Sequence, residues 1–77
     1  MNNNQSNTNQ PSSIPEEIIE QIIIVRDTGR TNMFDLASVQ RIAYELDLFE
    51  LVEFLEERNN HKTYVDFILH GGKKQDK

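Results

Sequence analysis

The sequence predicts an all-α fold, a compact bundle of about four short helices, and three observations predict it. Apolar residues recur at three- and four-residue spacing, capping residues stand at the starts of these segments, and Gly or Asn follows their ends. The expected helices cover residues 14–28, 36–46, 48–58 and 61–70.

The first element reads "SIPEEIIEQIIIVRDTG". Ser13 with Glu16 is a capping-box pattern, Pro15 has no N–H to leave unpaired, and Glu16 and Glu17 suit the positive end of the helix dipole. Ile14, Ile18, Ile22 and Val25 form a helical stripe that Ile19 and Ile23 widen, with Ile24 outside it. The β-branched "IIIV" competes as a strand, but the acidic opening and the i, i+4 spacing favour a helix.

The next eight residues, "TGRTNMFD", are read as an elbow rather than a presented recognition loop. Gly29 supplies a left-handed stop, Asn32 or Asp35 caps the next helix, and Met33 and Phe34 pin the corner into the core. A buried Phe34 implies a loss of about 3 kcal/mol on truncation to Ala. Phe34 and Val39 are placed to form a hydrophobic staple.

In the second helix Leu36, Val39, Ile42, Ala43 and Leu46 share one face, and Arg41 and Glu45 form an i, i+4 pair outside it. In the third, Leu48, Phe49, Leu51, Val52 and Leu55 are assigned to the buried side. Glu50, Glu53 and Glu57 are assigned to the outer side. Asn59 or Asn60 separates it from a fourth helix that buries Tyr64, Val65, Ile68, Phe67 and Leu69, with Gly71 and Gly72 as its stop.

The flanks have a different composition. Residues 1–13 hold five Asn, two Gln and three Ser with no charge, which predicts a disordered tail. Residues 73–77, "KKQDK", are expected to be equally loose. Neither a basic, apolar secretion leader nor a membrane-length apolar run is read in the chain, so a cytoplasmic location is expected. The remaining domain, residues 14–72, carries 25 large apolar side chains and no cysteine. A core this small is closed either within one chain or by a second subunit, and a homodimer stays open.

Charge narrows the chemistry. The same segment has 12 acids against Arg26, Arg30, Arg41, Arg58 and Lys62, a net charge of −7, which repels phosphate backbones. Non-specific nucleic-acid binding is not expected. Two histidines nine residues apart lack the i, i+3 or i, i+4 spacing of a helical metal pair. No cofactor, metal site or enzymatic activity is expected.

The segment from Glu45 to Glu57 contains six acids and no base. A solvated face is one reading, and a docking face for a basic protein partner is the other. The candidate partner-binding residues are Asp47, Glu50, Glu53, Phe54 and Glu57, because Phe54 lies among acids and off the main apolar stripe, as an interface anchor does.

The run "RDTGRTNMFDLASVQRIAYELDLFELVEFLEE" followed by "YVDFILHGG" resembles a family of short phage and prophage proteins of Gram-positive bacteria, known only as a domain of unknown function. The resemblance covers Ile22 to Gly71. It is strongest at Gly29 and Thr31-Asn32-Met33-Phe34-Asp35, with Arg26, Val39, Gln40, Ile42, Ala43, Glu50, Leu51, Val52, Tyr64, Phe67 and Ile68 in support. The Asn-rich start departs from the family pattern.

The resemblance carries no catalytic or binding role to any residue. It implies a small phage accessory protein acting in a bacterial cytoplasm, and small acidic phage proteins often work by binding and inhibiting a host or defence protein. Two other readings remain: a small helix-turn-helix-like regulator using Gln40, Arg41, Tyr44 and Arg58, and a homo-oligomeric structural protein.

Overall fold

The computed structural model describes residues 14–70. The expectations for residues 1–13, for Gly71 and Gly72 and for residues 73–77 lie outside them, as does the Ser13 half of the capping box. Four helices follow one another: α1 (Glu16–Thr28), α2 (Leu36–Glu45), α3 (Phe49–Glu56) and α4 (His61–Leu69), with a 3-10 turn at Arg58–Asn60 ahead of α4. No strand occurs among the described residues. Among them, too, no helix is long and apolar enough to cross a membrane.

The all-α reading holds; the expected boundaries at Thr28, Leu36 and His61 stand, and the other five shift by a residue or two. α1 starts at Glu16 rather than residue 14 because Pro15 occupies the N-cap, its carbonyl accepting the Ile18 and Ile19 amides at 3.0 Å each. α1 ends at Gly29, whose φ of 66° is the left-handed stop the sequence indicated. α2 begins on its expected cap, the Asp35 carboxylate accepting the Ser38 N–H at 3.2 Å and the Ser38 hydroxyl at 2.9 Å.

α3 ends at Glu56, two residues short of the expected limit, because the chain extends at Glu57 and then tightens into the 3-10 turn. Two side chains satisfy its last carbonyls. Asn60 Nδ2 donates to the Phe54 oxygen at 3.0 Å and His61 Nε2 to the Leu55 oxygen at 2.8 Å. Asn60, one of the two asparagines read as separating the third and fourth helices, thus ties its side chain back to α3.

The core consists of Ile14, Ile18, Ile22 and Val25 from the first segment, Val39, Ile42 and Ala43 from α2, Leu51 and Leu55 from α3, and Tyr64 from α4. α3 packs most extensively against α2 and next against α1. Gln21 locks that second contact with both ends of its amide: Nε2 donates to Glu50 Oε1 and Oε1 accepts the Leu51 N–H, each at 2.9 Å.

Four apolar residues assigned to the core are exposed: Phe34, Leu46, Phe49 and Leu69. The elbow is nevertheless built as an elbow. Asn32 Oδ1 accepts the Phe34 N–H at 2.8 Å, and the Asn32 carbonyl accepts the Asp35 N–H at 2.9 Å. That turn directs Met33 toward the core, where its carbonyl accepts the Tyr64 hydroxyl at 2.7 Å, while Phe34 remains 46% exposed. The staple to Val39 thus does not bury Phe34. Phe34→Ala is expected to lose about 1 kcal/mol rather than the about 3 of a buried Phe, read as a shift in urea midpoint. A loss of several kcal/mol contradicts the exposed placement.

Candidate functional site

The turn from α2 to α3 is where the local chain departs furthest from the expected pattern. The Asp47 amide donates to the Tyr44 carbonyl at 3.1 Å and the Leu48 amide to the Ala43 carbonyl at 2.8 Å. This paired 5→2 and 6→1 closure is a Schellman motif, with the half-buried Leu48 packed against the core. Its left-handed position is occupied by Asp47 at φ 63°, the single positive-φ residue other than glycine among the described residues.

Two placements follow from this turn. The chain leaves α2 at Leu46, which turns outward and is exposed. Phe49 becomes the first residue of α3, and at about 100° per residue it lies about 140° from the mean direction of Leu51 and Leu55. It therefore stands on the outer face, 46% exposed, and Tyr44 is 64% exposed beside it. The two rings meet edge to face at 5.6 Å between centroids and 66° between planes, a favourable aromatic geometry.

Phe54, the aromatic singled out from the sequence, is not the exposed one. It shares the α1-facing flank of α3 with Glu50, one turn away, and packs partly buried against the core. Among the acids, Asp47 occupies the turn, Glu53 faces outward with Phe49, and Glu57 follows the end of α3. Glu50 lies at the α1 boundary. Phe49, Glu53 and Glu56 fall within about 60° of arc. The structure thus spreads these acids around α3 and its two ends, with Glu53 and Glu56 on the face of Phe49, and it exposes Phe49 and Tyr44 rather than Phe54.

These acids differ in environment. Glu45 is held below the usual carboxylate range by the Arg30 hydrogen bond at 2.9 Å, aided by the charges of Arg30 and Arg41. The Gln21 amide has the same effect on Glu50. Gln40 Nε2 donates to Glu56 Oε2 at 2.9 Å and to the Val52 carbonyl at 3.0 Å, joining α2 to α3. Among the described residues no base pairs with Asp47, Glu53 or Glu57.

Asp47 stands where glycine suits the backbone best, just past the negative end of the α2 dipole. Asp47→Gly is expected to raise stability by about 0.5–1 kcal/mol, measured by urea denaturation. Unchanged or lowered stability contradicts a left-handed Asp47.

Ring nitrogens of the two histidines are committed to backbone carbonyls, His61 to Leu55 and His70 to Asp66 at 2.7 Å. No group of three or more His, Cys, Asp or Glu side chains among the described residues is arranged to hold a metal ion. No curated protein and no solved structure matches the chain. The model of a family described as a domain of unknown function, DUF5049, matches residues 14–72, from the first core isoleucine through all four helices. The chain is a member of that family.

Proposed function

We propose that this protein is a small interaction module that binds another protein through the α2–α3 corner. One observation carries the reading: Phe49 stands exposed on the outer face of α3 with Glu53, its ring edge to face with Tyr44. Rigid aromatics with few rotatable bonds, surrounded by polar groups, are what interface anchors are made of. Two contiguous exposed rings rimmed by polar groups form the kind of patch that marks a protein interaction site.

The resemblance to short phage proteins supplies a context, an accessory protein in a bacterial cytoplasm that restrains a host or defence protein. Glu53 and Glu56 on the outer side of α3 argue against the regulator reading, since a helix entering a DNA groove needs donors to phosphates and guanine edges.

Affinity capture from a Gram-positive bacterial lysate tests the proposal, comparing the wild type with Phe49→Ala/Glu53→Lys. The variant should remain folded by circular dichroism and lose the retained proteins. Identical captured sets from the two folded proteins contradict it.

A further inference from the structure

The described residues offer no strand edge, so an incoming segment has to be held by side chains rather than by strand addition. A shallow groove of about 460 Å3 runs between α2 and α3 beside the aromatic pair, lined by Ala37, Gln40, Tyr44, Val52 and Glu56. A cleft between two helices with a small residue on its wall and an aromatic at its end suits a helix laid along it. Its cation, Arg41, is already matched by Glu45 at 3.2 Å.

Charge selects the occupant. Asp47 and Glu53 flank the aromatic pair without a cationic partner among the described residues, and the segment from 45 to 57 contains no base at all. A second copy of this chain would bring the same acids to the same corner, with net −7 on residues 14–72 of each copy, and like charges repel. A cationic segment meets the opposite field.

We infer that the corner docks a cationic amphipathic helix of another protein. An apolar side chain of that helix sits against Tyr44 and Phe49, and its Lys or Arg side chains pair with Asp47 and Glu53. This rests on the protein-binding reading above and names the chemistry of the partner.

The test titrates the full chain with a synthetic amphipathic helix of Lys, Leu and Ala bearing one Phe, and with its Lys→Glu counterpart. Binding is followed by calorimetry and by amide chemical shifts. The Lys peptide should bind and shift amides concentrated in residues 44–53, and the Glu peptide should not. Asp47→Asn/Glu53→Gln should weaken the Lys peptide about five- to tenfold, the loss expected from two exposed charge pairs. Glu17→Gln/Glu20→Gln, the same change of charge on α1, should leave affinity within about twofold.

Equal weakening by both charge variants, equal binding of both peptides, shifts outside the corner or no shift overturns the inference. So does self-association of the chain through Tyr44 and Phe49, detected by sedimentation. If Phe49→Ala/Glu53→Lys still abolishes capture from the lysate while these charge tests fail, the docking corner stands and its cationic partner does not. If neither responds, both fall.

Discussion

Leu51→Ala should lower the unfolding free energy by about 2–5 kcal/mol, measured by urea denaturation at neutral pH. Leu51 is fully buried in α3, the helix that packs on both α1 and α2. Truncation there removes apolar contact with two partners at once, and the surrounding helices have little freedom to close the gap. The Leu51 amide is also held by Gln21, so the backbone resists the inward shift that would fill the cavity. In a domain this small such a loss approaches the whole stability of a typical fold. A loss below about 1 kcal/mol contradicts the placement of Leu51 at the centre.

Tyr64→Ala should lose about 3–5 kcal/mol, and Tyr64→Phe about 1. The ring is the fully buried core residue of α4, and its hydroxyl ties that helix to the elbow through the Met33 carbonyl at 2.7 Å. Alanine leaves a large cavity and detaches α4 from the first three helices. Phenylalanine keeps the packing and leaves one carbonyl without its donor.

Burial pushes the Tyr64 hydroxyl well above the ordinary tyrosine range. Its contribution to stability is fully present below about pH 10, the free tyrosine value, and is lost as pH climbs toward the raised folded value. The Phe variant should lack that component of the alkaline loss. Thermal denaturation of the three proteins at neutral and alkaline pH checks both statements. Equal stability of the wild type and the Ala variant contradicts the anchoring role.

Much of the fold was legible because it depends on local rules. Asp35 caps α2, Gly29 stops α1 and the Ile18/Ile22/Val25 stripe is buried, each as helical periodicity and capping chemistry require. The exposed corner was harder to read, because an acid took a position that usually goes to glycine. With Asp47 left-handed, α2 stops one residue early, and the register of α3 turns Phe49 outward and Phe54 toward α1.

Counting angles from Leu51 would have separated the two phenylalanines, since Phe49 lies much farther from the Leu51/Leu55 direction than Phe54 does. Reading apolar character alone could not. The elbow shows the same mixture. Its turn chemistry at Asn32 and Asp35 followed from residue type, whereas the tie from Met33 to Tyr64 joins residues 31 apart. No local pattern encodes that contact.

The most direct test of the docking corner is site-specific photo-crosslinking in the lysate used for affinity capture. A benzophenone amino acid is placed in turn at Phe49, at Tyr44 and at the exposed Ile24 of α1. Discrete adducts with the same protein from positions 49 and 44, and none from position 24, are the predicted result. Adducts from position 24 alone, or none from position 49, would contradict it.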